Sequence, residues 1–243
     1  MEKEKIVVLT YDAPHRKTQD LLFRLKIKKQ FPVVVGLPWQ VRKNFKPLIP
    51  HRPWQPFPIK PVDLCNSLGY EYILVTNLHE LISLLGVLKP DYVLIAGAGL
   101  LPAEIVSCYK VINSHPGWLP LVRGLDALKW AIYEGLPIGV TTHIVNEEPD
   151  SGLLIRQVEV PLYGWDTFHS IAWRQYELEI ELLSQAVEDI KKITHWHKLN
   201  NDHPVRRRMP HALETRLLQR LAERINRIEN FDEADNFYAS IQN

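Results

Sequence analysis

Cysteine is scarce in this sequence. Cys65 and Cys108 are the only two in 243 residues, and their separation fits neither a metal site nor a redox pair. They predict no disulfide framework and no metal centre, and free thiols of this kind usually behave as small buried hydrophobes. An excess of either charge is also missing. Lys and Arg number 29 against 28 Asp and Glu, for a formal charge of +1, so no global field draws in nucleic acid or an anionic membrane. Any anionic ligand has to be held by local groups. Long apolar runs are absent too: YVLIAGAGLL falls well short of the roughly 18 residues that a spanning helix needs. The opening MEKEKIVVLTYD mixes acids with lysines and contains no signal-peptide core. The expectation is a cytoplasmic chain with no membrane partner.

The residues present suit a packed core, with 46% of them hydrophobic. That supports one α/β domain over residues 1–190 and a modest appendage over 191–243. KIVVLT and PVVVG read as buried strands, as do YEYILV, DYVLIAGAG and KVINSH. Between them TQDLLFRLKIKKQF places Leu21, Leu22, Leu25 and Phe31 at helical spacing, and NLHELISLLGVLK is amphipathic. Strands alternating with helices, without hairpin signals, argue for a mostly parallel sheet. LDALKWAIYEG predicts a helix closed by Gly135, followed by two strands, GVTTHIVNEE and LLIRQVEV. A long helix then starts near Asp166 or Thr167. Seven prolines between Pro38 and Pro61 rule out regular structure there and predict a long ordered loop that is functional or covers a site. Its Trp39 and Trp54 serve as packing anchors or stack on a flat ligand. The appendage is expected to be helical, with Leu217, Leu218, Leu221 and Ile225 on one stripe.

Three segments carry chemistry: GAGLLP at 97–102, NSHPGWLPLVRG at 113–124 and GVTTHIVNEEPDSG at 139–152. KVINSH puts Asn113 and His115 at a strand end, where open α/β sheets collect ligands. An amide donor there can stabilise an oxyanion, and an imidazole can exchange a proton near neutrality. Pro116, Pro120 and Gly124 stiffen the backbone that follows. Taken together, the three segments resemble the core of the folate-dependent formyltransferases, closely over about residues 90–160 and loosely over 5–190. That resemblance implies a Rossmann-like formyltransferase fold and transfer of a formyl group from 10-formyltetrahydrofolate, without a metal. It implies catalytic roles for Asn113, His115 and Asp150. The co-substrate's pterin would be lined by Ala98, Gly99 and Leu100 and by Asn146, Glu147, Glu148 and Pro149.

Within the family, methionyl-tRNA formyltransferases carry a further basic domain, and here only a single cluster, Arg206 to Arg208, is basic. Glycinamide ribonucleotide formyltransferases open their first strand into a glycine-rich phosphate loop. LTYDAPHRKTQ contains no glycine, so a backbone phosphate nest is not supported. The expectation is therefore an N-formyltransferase for the amine of a nucleotide-linked amino sugar, as in surface polysaccharide synthesis. RGLDALKWAI resembles the acceptor side of such enzymes, with Arg123, Asp126 and Trp130 as candidate contacts. Cations for a pyrophosphate would come from His15, Arg16 and Lys17 or from Arg42, Lys43 and Arg52, unless these are simply surface charges. The alternatives are a glycinamide ribonucleotide or methionyl-tRNA formyltransferase-like enzyme, a formyltetrahydrofolate hydrolase and a non-catalytic folate or nucleotide binder. A homodimer is left open.

Overall fold

The computed structural model describes residues 4–39, 46–53 and 56–228. The expectations for Arg42, Lys43 and Trp54 lie outside these residues. The chain opens with β1 (Ile6–Tyr11), α1 (Arg16–Ile27) and β2 (Val33–Leu37). α1 buries Leu21, Leu22 and Leu25, but Lys28 closes it, so Phe31 falls past the helix end and is exposed. Beyond the proline-rich stretch come α2 (Pro61–Leu68), β3 (Tyr72–Leu74), α3 (Leu78–Leu88) and β4 (Tyr92–Ile95). Pro61 opens α2 where a missing N–H costs nothing, and Gly69 closes it at φ 68°. α4 (Ala103–Val106), β5 (Val111–His115), β6 (Arg123–Gly124), α5 (Ala127–Glu134), β7 (Gly139–Val145) and β8 (Gly152–Glu159) follow. The chain then runs through α6 (Phe168–Ile190), β9 (His197–Leu199), β10 (Val205–Arg206), α7 (His211–Glu214) and α8 (Leu217–Ile225).

The central sheet has the order β3-β2-β1-β4-β5-β7-β8-β9. Its first five strands are parallel, and β7, β8 and β9 join antiparallel, giving the expected mostly parallel, Rossmann-like α/β fold. Alternation along β1 feeds both faces: Ile6 and Val8 pack with α1 and α6, while Val7 and Leu9 pack with α3. Burial on both faces is why this strand reads as an unbroken apolar run. The chain proceeds outward from β1 in one direction to β3 and in the other to β5, so the order reverses between β1 and β4. Ligands bind at such a switch point in open sheets.

Beyond α6 the polar segment does not coil into a helix. β9 adds to the edge of β8, and β10 pairs with β6. The amphipathic run that follows splits into α7 and α8, and Leu217, Leu221 and Ile225 enter a core shared with Leu128 and Ile132 of α5. Leu218, expected on the same stripe, is 54% exposed. Among the described residues, no helix is long and apolar enough to cross a membrane.

Candidate active site

Asn113 and His115 stand two residues apart on β5 and so share one face of the sheet. Both line a cleft of about 1330 Å³. Among the described residues the Asn113 side chain has no hydrogen-bond partner. His115 is 5% exposed and engages both ring nitrogens. Nε2 lies 2.9 Å from the Val122 carbonyl oxygen, and Nδ1 lies 3.2 Å from Oδ1 of Asp150. A carbonyl can only accept, so Nε2 carries the hydrogen and Nδ1 is the nitrogen left to gain or lose one.

The strand next to β5 is antiparallel, with Thr141 opposite His115 and Ile144 opposite Ile112. β7 therefore ends up the ladder from His115, and residues 146–151 fold back to deliver Asp150. The turn is tight: Asp150 sits at φ 50°, a left-handed conformation that Asp and Asn tolerate better than most residues. Two anchors hold it. Oδ2 of Asp150 accepts from the Gly124 N–H at 2.6 Å, and Nδ1 of His143 donates to the Ser151 carbonyl at 2.9 Å. His143 is completely buried, which pushes its pKa down to about 4, with the nearby His115 acting in the same direction. It stays neutral and works on the backbone of the turn, not in the cleft.

The loop after His115 is fastened by residues that the sequence did not single out for this role. Thr141 donates from Oγ1 to the Gly117 carbonyl and accepts from the Leu119 N–H. Gln175 on α6 donates to the carbonyls of Pro116 and Gly139, each at 3.0 Å. The signal for Gln175 was its place on the buried side of an amphipathic helix, where an amide needs partners. Gly124 has no room for a side chain, because a Cβ there would overlap the Arg206 carbonyl.

Ala98, Gly99 and Leu100 line the cleft, as do Asn146, Glu147, Glu148 and Pro149. Leu100 is 79% exposed at its mouth. Glu148 accepts a hydrogen bond from Asn201 in the tail. Of the three acceptor candidates, only Asp126 lines the cleft. Its carboxylate accepts from the Met209 N–H at 3.0 Å and pairs with Arg208. Arg123 is a correction. It is buried, and its guanidinium is used up on the carbonyls of Pro149, Asn201 and His203, so it ties the Asp150 turn to the tail. Trp130 is another, since its indole N–H donates to the Arg207 carbonyl and its ring packs against Tyr133 outside the cleft.

Tyr11, Tyr176 and Glu179 complete the wall on the β1 and α6 side, together with the loop residues His51 and Arg52. The cations proposed after β1 are largely neutralised. Arg16 pairs with Asp20 at 2.7 Å, and Lys17 pairs with Glu179 at 2.6 Å. His15 is pushed down to about 4 by burial and by Lys17 and Arg52 nearby. Among the described residues, no group of three or more His, Cys, Asp or Glu side chains could hold a metal ion.

Comparison with known proteins identifies the family. The chain is 31% identical over 90 residues to the dTDP-4-amino-4,6-dideoxyglucose formyltransferase of Mycobacterium tuberculosis strain H37Rv, spanning 37% of this chain and 38% of that protein. It is 33% identical over 141 residues to the phosphoribosylglycinamide formyltransferase of Bacillus subtilis strain 168, spanning 55% of this chain and 67% of that protein. In fold it is similar to a crystal structure of a 4-N formyltransferase from Francisella tularensis, with a TM-score of 0.57, 22% identity, and coverage of 84% of this chain and 76% of that one. The matched stretch is thus well under half the length of the mycobacterial relative. The profile of the formyl transferase family matches residues 61–187, more than half of the 243 residues, and the chain belongs to that family.

Proposed function

We propose that the protein moves a formyl group from 10-formyltetrahydrofolate to the amine of a nucleotide-linked amino sugar. The observation that carries this reading is the His115 to Asp150 contact beside the unpartnered amide of Asn113, all on one cleft wall. As the acceptor nitrogen attacks the formyl carbon, the carbonyl oxygen gains negative charge. The Asn113 amide is the donor for that oxyanion. The nitrogen sheds a proton as the new C–N bond forms, and Nδ1 of His115 takes it while Val122 keeps the proton on Nε2. The imidazolium then rests on the Asp150 carboxylate, which the Gly124 N–H holds in place. Returning that proton to the departing N10 of the folate completes the transfer and regenerates the neutral ring.

Ala98, Gly99 and Leu100, with Asn146 to Pro149, form the donor slot in this reading, and Asp126 stands on the acceptor side. Residues 1–190 make up the catalytic unit, and Val205 to Arg208 from the appendage complete its acceptor wall. The sugar acceptor is favoured by the mycobacterial relative as it is named, and by the β1–α1 segment, which holds side chains in place of a glycine nest. Glycinamide ribonucleotide is the second reading, since the Bacillus subtilis relative is matched over two thirds of its length. Incubation with 10-formyltetrahydrofolate and a panel of amino-sugar nucleotides, glycinamide ribonucleotide, methionyl-tRNA and water separates them. Formylated sugar nucleotide is expected. Transfer to glycinamide ribonucleotide alone, or hydrolysis alone, would overturn the sugar assignment.

A further inference from the structure

The proline-rich stretch between β2 and α2 sets one cation at the cleft with its hydrogen-bonding unfinished. Arg52 lines the cleft, its guanidinium 3.5 Å from the ring centroid of Tyr176 and 5.9 Å from that of Trp173. Nη1 is buried and has no hydrogen-bond partner among the described residues. The carboxylates that influence Arg52 are committed elsewhere. Glu179 is held by Lys17 at 2.6 Å, and Asp20 is held by Arg16 and by the Tyr176 hydroxyl, each at 2.7 Å. Burial also works against the charge and lowers the guanidinium below its ordinary range. Burying an arginine with an idle donor is unfavourable until an anion arrives to take it.

Arg52 is not left there by a loose loop. Glu214 of α7 accepts from the Leu48 N–H at 2.9 Å, and His211 donates to the Lys46 carbonyl at 2.9 Å. Ile49 packs into the core shared by α5 and α8, and the His51 ring lies 5.3 Å from that of Phe168. The segment leading into Arg52 is therefore held at Lys46, Leu48, Ile49 and His51.

We propose that Arg52 is an anion-recognition residue that binds a phosphate oxygen of the acceptor, an inference that rests on the sugar-nucleotide reading for the identity of that acceptor. A guanidinium stacked on an aromatic face presents its edge to one oxyanion in bidentate geometry, which suits phosphate. The folate donor also carries anionic groups, in its glutamate carboxylates. The phosphate is favoured because Arg52 stacks on Tyr176 of α6 and lies near His15 on the β1–α1 side of the cleft.

The test uses the full chain and its Arg52→Met variant, which keeps an apolar stem against Tyr176 while removing the charge, with Arg52→Lys as the conservative partner. Inorganic pyrophosphate and 5-formyltetrahydrofolate are titrated separately by calorimetry, and KM is measured for the sugar nucleotide and for the same amino sugar without phosphate. Arg52→Met should weaken pyrophosphate binding and raise the nucleotide KM roughly 10- to 100-fold. Binding of 5-formyltetrahydrofolate and the KM for the unphosphorylated sugar should stay as in the parent, and Arg52→Lys should be intermediate. Absence of pyrophosphate binding by the parent, equal binding by Arg52→Met, or a parallel loss of folate binding each overturns the proposal. If no sugar nucleotide is formylated but pyrophosphate binding depends on Arg52, the sugar reading fails and the anion site stands. If sugar nucleotides are formylated with an unchanged KM in Arg52→Met, the reverse holds.

Discussion

The main-chain carbonyl of Val122 decides how His115 can act, because it claims the Nε2 hydrogen and leaves Nδ1 facing Asp150. In the proposed transfer Nδ1 gains its proton beside the carboxylate, so the charge of Asp150 matters more than its shape. Asp150→Asn separates the two. Asn tolerates φ 50° and can still accept from the Gly124 N–H, so the turn should persist. Turnover should nevertheless fall by about 10²–10⁴-fold, the range set by loss of acid–base help, while 5-formyltetrahydrofolate still binds. His115→Ala should fall in the same range. Asn113→Ala should lose about 10²–10³-fold, as expected for one oxyanion donor. Steady-state kinetics with binding measured in parallel checks all three. A turnover within a few-fold of the parent in Asp150→Asn would remove the carboxylate from the mechanism.

Among the elements, α5 and α7 are joined by a fully buried charge pair. Lys129 and Glu214 form an ion pair in which both side chains are 0% exposed. Burial works to raise the pKa of Glu214, but Lys129 and the Leu48 N–H outweigh it and hold the carboxyl below its ordinary range. Removing one partner strands the other, so Glu214→Ala should cost about 3–5 kcal/mol of stability by denaturant titration. The double variant Lys129→Met with Glu214→Leu should recover most of that, because a packed apolar pair replaces a desolvated ionic one. If the double variant is no more stable than the single, the loss lies in the Leu48 bond and not in the stranded charge.

This junction was invisible in the sequence, where Lys129 is one polar residue in LDALKWAIYEG and 85 positions separate it from Glu214. Elements written in local periodicity were legible: β1 as an apolar run, α5 with its Gly135 cap, and α6 from Thr167 onward. Pairing across the sheet was not. The approach of Asp150 to His115 depends on an antiparallel β7 and a turn that folds back, and it came only from family resemblance. Arg123 was misplaced for a related reason, since a guanidinium in sequence shows its donors but not the three carbonyls that surround them.

For the molecule as a whole, charge balance and buried imidazoles set the solution behaviour. With a net charge of +1 and Arg206 and Arg208 paired to Glu134 and Asp126, the surface offers little to a polyanion. Binding to tRNA at moderate salt should be weak and nearly flat against salt; tight, steeply salt-dependent binding would argue for a tRNA acceptor. Acid should be more disruptive. His15, His51 and His143 are each lowered by burial to about 4 from 6.5, so the unfolded chain takes up protons first as the pH falls. Their stabilising contribution is complete above about pH 6.5 and is lost progressively down to about pH 4, at up to about 1.4 kcal/mol per pH unit for each histidine. Tm recorded between pH 7.5 and 4.5 should drop below pH 6.5, and a constant Tm from pH 7 to 5 would contradict it.

The stitching of the tail onto α5 also has a consequence in time. The ribosome finishes Lys129 long before Glu214, and at about 5–20 residues per second an 85-residue gap lasts roughly 4 to 17 s. Through that interval α5 carries an unpaired ammonium that cannot enter the core, and the loop bearing Arg52 has no α7 to grip. The β1 to β8 part of the sheet and the His115 to Asp150 pair have all been synthesised by then. The Lys129 to Glu214 seam can accordingly close only after His115 and Asp150 have both been synthesised, and a ribosome stalled short of Glu214 holds a chain in which the loop bearing Arg52 lacks its anchor at Leu48.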